Sequence, residues 1–387
     1  MHRARRLLIV LACAFFVLPV APAGAVSTTQ VAVCKRPPNG RVACLAIRVD
    51  TRSGGRVQHA TAPVGLRPAD LRSAYSLPTT HGSGRTVAIV DAYDDPSAEH
   101  DLAVYRAQFK LPACTTANGC FRKVDQSGGA RLPAADPGWA EEISLDLDMV
   151  SAVCPRCHLL LVEASSAAQA NLGIAVDTAA RLGAVAISNS YGGADARDST
   201  YGRYYHHPGI AVTASSGDSG YGVSYPASSR WVTAVGGTSL RRVHTTRGWR
   251  ETAWSESGSG CSATNTASYQ NSSITQCSQR AVADIAAVAD PATGVAAYDS
   301  FAFEGTDGWL TFGGTSVGAP IIAAVFALAG NTASVADGSY LWKHHTGGVY
   351  DVTSGSNGSC PTPRWCTARR GWDGPTGWGT PKGTSAF

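Results

Sequence analysis

The chain predicts an α/β fold, a mostly parallel central sheet with helices on both faces. Two observations carry this expectation. Short apolar, β-branched runs alternate with segments of helical period from residue 85 onward. A buried-looking run at 309–312 also passes through a turn of small residues into the apolar run 321–328, a strand-turn-helix unit. In order, strands are expected at 85–91, 158–162, 184–188, 209–214 and 231–235, and helices at 97–109, 139–153 and 167–182. In such sheets ligands gather beyond the carboxyl ends of the strands. That rule singles out Asp91, the Ser215-Ser216-Gly217-Asp218 turn and the Gly313-Gly314-Thr315-Ser316 turn.

Arg3, Arg5 and Arg6, an apolar run over 7–20 and Ala23-Gly24-Ala25 form the three parts of a secretory signal, so 1–25 is expected to be removed and the protein secreted. That leaves 362 residues (387 less 25), enough for a large core, and the formal charge of +4 falls by three arginines to +1. No basic stripe with interleaved aromatics points to nucleic acid, and no further apolar run is long enough for a membrane anchor. A monomer is expected. Ten cysteines outside the signal fall into close pairs, Cys34/Cys44, Cys114/Cys120, Cys154/Cys157, Cys261/Cys277 and Cys360/Cys366. In an exported chain this reads as disulfides, with local pairing the simplest connectivity. Residues 26–66 look like a short prosegment or N-terminal extension with little core material. The stretches 258–279 and 354–370, rich in Ser, Gly and Thr, read as surface loops.

The turn before 321–328 can lift the Ser316 hydroxyl clear of the backbone, with the unpaired N–H groups of a helix start beside it. Ser316 is therefore a candidate nucleophile, although Thr315 or Ser316 as a mere helix cap, with Pro320 in the first turn, fits the same residues. A nucleophile needs a base, and no histidine sits in a protease signature. The helix at 139–153 offers Glu142 and Asp146, four apart and on one face beside Ile143, Leu147 and Val150. Two carboxyls in a poorly solvated place share a proton and act as base and acid; alone, the pattern equally describes a solvated acidic face. Glu141 and Asp148 are expected to point elsewhere, as surface charges. In Gly217-Asp218-Ser219-Gly220, Asp218 can donate to an oxyanion only when protonated, which calls for acid or an apolar pocket; an Asx turn is the plain alternative.

Together these motifs resemble the sedolisin family of serine-carboxyl peptidases. The resemblance rests on Val90-Asp91-Ala92-Tyr93, Glu142-Ile143-Ser144-Leu145-Asp146, Ser216-Gly217-Asp218-Ser219-Gly220, Tyr225-Pro226-Ala227-Ser228-Ser229, Ala234-Val235-Gly236-Gly237-Thr238 and Gly314-Thr315-Ser316 with Pro320. It covers most of 67–387 as one peptidase domain and implies a subtilisin-like fold. It further implies Ser316 as nucleophile, Glu142 as base and acid, Asp146 as its supporting carboxylate and Asp218 as oxyanion donor. Protein or peptide substrates and activity at acid pH follow. So does one structural Ca²⁺ near the C-terminus, held by the Asp351 and Asp373 carboxylates and the carbonyls of Val352, Arg369 and Gly371, an all-oxygen set. The chain departs from the family in its short N-terminal region, in Ser144 where some members carry an acid, and in Gly313 where many carry Ser. Two rival readings remain. One is an α/β-hydrolase esterase using Ser316, Asp337 and His344 in that order; the other is a non-catalytic, calcium-stabilised secreted binding protein.

Overall fold

The computed structural model describes residues 26–35, 41–53 and 56–387; the expected signal, 1–25, lies outside them. The chain opens with β1 (Val26–Ala32), β2 (Ala43–Cys44) and β3 (Ile47–Ser53). Then come β4 (Thr86–Ala92), α1 (Ala98–Gln108), β5 (Phe121–Asp125), α2 (Pro137–Val153), β6 (His158–Ala164), α3 (Gln169–Arg181), β7 (Ala186–Asn189) and β8 (Tyr191–Gly192). The second half adds β9 (Ala211–Ser215), β10 (Thr233–Arg242), β11 (Trp249–Ala253), β12 (Ile285–Val288), β13 (Val295–Phe303), β14 (Thr306–Gly313) and α4 (Thr315–Ala329).

The central sheet runs β11-β10-β9-β7-β4-β6-β5, with β12 also paired to β10. Every pairing is parallel except β10 with β11. This is the expected α/β architecture. The central strand β4 is covered on both faces, which is why Val87 to Val90 is a continuous apolar run with no alternation. The edge strand β5 went unread, since its Arg122 and Lys123 interrupt the apolar pattern within a Gly-rich stretch.

Two helices set up the site. α4 lies on the sheet against β7, β9 and β12 and is buried from Thr315 through Leu328. Each of its larger apolar side chains adds about 1.5–3 kcal/mol of burial, an upper estimate. α2 is packed between α1, α4 and β13, and every residue from Gly138 to Val153 is buried. It therefore has no solvent face, and Glu141 and Asp148 are not surface charges. Glu141 pairs with the buried Arg48, and Asp148 Oδ2 accepts from the Tyr298 N–H at 2.9 Å. A helical wheel assumes that one side meets water; here that side meets β3 and β13.

Residues 26–66 also hold more core than expected. β1, β3, β14 and β13 form a second, antiparallel sheet in that order. Val33, Val42, Cys44 and Ala46 join the main core. The five disulfides are the five local pairs, so Cys154-Pro155-Arg156-Cys157 carries neither metal nor free thiols. The stretches 258–279 and 354–370 are mostly irregular, as read, although Ser259, Asn265, Thr275 and Asn357 are buried within them. Among the described residues no helix is long and apolar enough to cross a membrane.

Arg48 ties β3 to α2 through Glu141 and also binds Asp50 at 2.7 Å, with 1% of its side chain exposed. Breaking a buried pair from one side strands the remaining charge. Arg48→Ala should cost about 3–5 kcal/mol of unfolding free energy by urea titration, and Arg52→Ala, at a side chain 39% exposed, under about 1 kcal/mol.

Candidate active site

β14 delivers the chain to Gly313, and the turn into α4 is made by Gly314 at φ 94°, ψ 158°, a region open only to glycine. Space demands glycine as well. A Cβ there would stand 1.9 Å from the Leu45 carbonyl oxygen and 2.6 Å from Asp218 Oδ2. Neither Thr315 nor Ser316 caps the helix. The start of α4 is held from another loop, since Asp218 Oδ1 accepts from both the Thr315 N–H (2.8 Å) and the Thr315 hydroxyl (2.7 Å). Asp218 Oδ2 is left buried with no partner. Burial pushes Asp218 up to about 7, against the two Thr315 bonds that pull it down.

Ser316 is the second residue of α4, where helix N–H groups have no partner within the helix. Its hydroxyl donates to the Ser190 carbonyl at 3.2 Å. Pro320 sits inside the helix rather than in its first turn. It removes the N–H that would bond the Ser316 carbonyl four residues back, and the Ser190 hydroxyl stands 3.5 Å from that carbonyl instead.

α2 presents Glu142 and Asp146 to this point, both fully buried. Glu142 Oε2 accepts from the Leu45 and Ala46 N–H groups at 3.0 and 2.9 Å. Its Oε1 has no well-aligned partner, yet the Ser316 hydroxyl is close enough to favour the ionised form. The hydroxyl proton itself is turned toward the Ser190 carbonyl. Both Asp146 oxygens accept from the Ser190 hydroxyl at 2.8 Å. Asp91, at the end of β4, is a third carboxyl with both oxygens buried and unpartnered. Burial raises all three; Asp91 adds to the rise at Glu142 and Asp146, and itself reaches about 8. Strand-end position had marked Asp91 as a site residue, but nothing in its local sequence tied it to α2. Ser190 was missed altogether; only its place one residue beyond β7 could have signalled it.

The esterase set does not assemble. Asp337 accepts from the Ser339 N–H (2.9 Å), while His344 bonds the Tyr340 carbonyl (2.8 Å) and stacks on the Tyr340 ring. Near the C-terminus, Asp351 Oδ2 accepts from the Gly371 N–H, and Asp373 Oδ2 from the Arg369 N–H, both at 2.9 Å. Burial foremost, with Asp351 nearby, pushes Asp373 up to about 7. Among the described residues the carbonyls of Val352, Arg369 and Gly371 accept no hydrogen bond. Two carboxylates and three free carbonyls around one loop pair suit a hard cation.

The sequence profile of the Subtilase family matches residues 135–378, more than half of the chain. The chain belongs to that family. Its resemblance within the family is to the sedolisins: it is 29% identical to kumamolisin of Bacillus sp. (strain MN-32) over 83% of this chain and 63% of that protein. It is also 29% identical to human tripeptidyl-peptidase 1 over 45% of this chain and 36% of that protein. The chain thus spans less than two thirds of either relative. Among solved structures, a Pseudomonas sedolisin, described as a serine-carboxyl proteinase complexed with two molecules of pseudo-iodotyrostatin, superposes with a TM-score of 0.69 at 26% identity. The match covers 84% of this chain and 96% of that one. Sphericase, at 17% identity and a TM-score of 0.52 over 84% of this chain and 99% of that one, shares the fold.

Gly314→Ala places a methyl group where Leu45 and Asp218 already stand, at a backbone angle that alanine avoids. It should lower stability by about 1–3 kcal/mol in urea titration and shift the Asp218 side chain in a crystal structure; unchanged stability would show that the turn is not held as described.

Proposed function

We propose that this chain is a secreted serine-carboxyl endopeptidase, active at acid pH, that cleaves protein or peptide substrates through an acyl-enzyme on Ser316. The observation that carries the reading is the convergence of the Ser316 hydroxyl with buried Glu142 and Asp146, Ser190 bonding both Ser316 and Asp146, with the partnerless Asp218 Oδ2 beside the same turn. Glu142 takes the Ser316 proton as the hydroxyl attacks the peptide carbonyl and returns it to the leaving amine. Asp146 steadies Glu142 by holding part of the shared proton population, with Asp91 in the same coupled set. Asp218, with Oδ1 fixed by Thr315, carries its proton on Oδ2 and from there donates a hydrogen bond to the oxyanion together with the Ser316 N–H, remaining neutral. The five local disulfides favour an oxidising destination. At the C-terminus we assign Asp351, Asp373 and the carbonyls of Val352, Arg369 and Gly371 to one structural Ca²⁺, which would pin the two loops.

The N-terminal segment fits a prosegment role. β2 pairs antiparallel with β8, Leu45 and Ala46 occupy Glu142 Oε2, and Ile47 and Arg48 pair with Gly313 and Phe312. The segment thus crosses between the two edges that flank Ser316, in the extended form of a peptide substrate, and engages the base.

Two outcomes test this reading. Ser316→Ala should abolish peptide hydrolysis at pH 4, and kcat/KM of the wild type should fall as pH rises through about 7. The sign follows from Asp218, whose raised pKa keeps it a neutral donor on the acid side and makes it an acceptor only above. Asp218→Ala should lose about 10²–10³ in rate, whereas Asp218→Asn, with an amide at the Oδ2 position, should keep a donor and lose that limb; a limb unmoved in Asp218→Asn would remove Asp218 from this role. Second, mass spectrometry after incubation at pH 4 should find residues 26–46 trimmed from the wild type and retained in Ser316→Ala. Retention in a fully active wild type would show that the segment does not restrain the site.

A further inference from the structure

A second group of carboxyls lies on the far side of α2 from Ser316's network and has no part in the chemistry above. Asp95 follows β4, Asp101 is in the first turn of α1 and Asp299 is in β13; all three are buried, and one oxygen from each lies within 4.8 Å of the others. Their hydrogen bonds are few. Asp95 Oδ1 accepts from the Ser97 N–H and Asp101 Oδ2 from the Ser300 N–H, each at 2.8 Å. The Ser144 hydroxyl lies 3.2 Å from Asp299 Oδ1 and 3.4 Å from Asp95 Oδ2.

Clustering alone would mean little. The independent observation is that Asp101 Oδ1 and Asp299 Oδ2 are buried and partnerless, on side chains that themselves have no exposure. Among the described residues no ion pair reaches Asp101 or Asp299, and Lys123 is engaged by Asp94 (2.5 Å) and the Asp95 carbonyl (2.7 Å). A buried acceptor left without a donor costs about 1–3 kcal/mol, more when charged, so two such acids, with Asp95 beside them, ask for a common partner.

We infer that Asp95, Asp101 and Asp299 form a binding site for a hard divalent cation of the Ca²⁺ class, with the Ser144 hydroxyl as a neighbouring oxygen. The donors are oxygen only, and a spread of up to 4.8 Å is about twice the 2.3–2.6 Å Ca²⁺–O distance, wide for the 2.0–2.1 Å of Mg²⁺. Ser144 lies between Glu142 and Asp146 on α2, so a bound ion would brace the helix that carries both. The rival occupant is the proton, since burial, followed by Asp95, Glu141 and Asp101, pushes Asp299 up to about 9.

The test is calorimetric titration of Ca²⁺ into the full chain, stripped with chelator, at pH 7. Asp101→Asn/Asp299→Asn, near-isosteric and neutral, should bind one Ca²⁺ fewer than the wild type, while Asp373→Asn should retain the binding that the double variant loses. Equal stoichiometry in the wild type and Asp101→Asn/Asp299→Asn would overturn the assignment in favour of shared protons. Should the double variant not fold, hydrogen exchange on the wild type decides. Ca²⁺ should slow exchange at the Ser97 and Ser300 amides, and protection confined to 351–373 would refute the site.

Discussion

The structure turns on the cost of charge inside α2. A helix buried on every side carries Glu141, Glu142, Asp146 and Asp148, and a buried carboxylate is tolerable only if it is paired, hydrogen-bonded or protonated. Each acid meets that condition differently. Glu141 has a guanidinium and Asp148 a backbone N–H, whereas Glu142 and Asp146 have each other, Asp91 and a pair of serine hydroxyls. The last arrangement leaves protons to be shared, and a shared proton beside a hydroxyl is what general acid-base chemistry needs. The site is thus a local solution to a packing problem that the sequence could have avoided by putting leucines there.

The same logic extends to the start of α4. Gly314 has no side chain because a backbone carbonyl and a carboxyl both press against it, and Asp218 spends one oxygen on Thr315 and keeps the other free. An acid with one oxygen fixed and the other idle in a dry pocket is oriented as a donor, provided it is neutral. The N-terminal segment pairs through β2 with β8 and through β3 with β14, on either side of this turn.

Much of this was legible in the residues. The continuous apolar strands gave away a parallel sheet, the small-residue turn marked the strand-to-helix passage that carries Ser316, and the four-residue spacing put Glu142 and Asp146 on one face. The unread parts have a common cause in contacts that are distant along the chain. Nothing near Glu141 announces Arg48, 93 residues earlier, and nothing near Asp299 announces Asp101. Likewise 26–66 read as an extension with little core material, but Arg48 turns inward to serve an acid on α2. A helical wheel can locate an acid on a face; it cannot say what the face meets.

The most direct measurement of the central claim is infrared difference spectroscopy of the protonated-carboxyl stretch, comparing wild type with Glu142→Gln and Asp146→Asn across the acid to neutral range. The account predicts a protonated-carboxyl signal that persists well above the usual carboxylate range of about pH 4, and that changes at more than one group when either acid is replaced. Carboxyls at these positions that each titrate alone near about pH 4, with neither substitution disturbing the other, would contradict it.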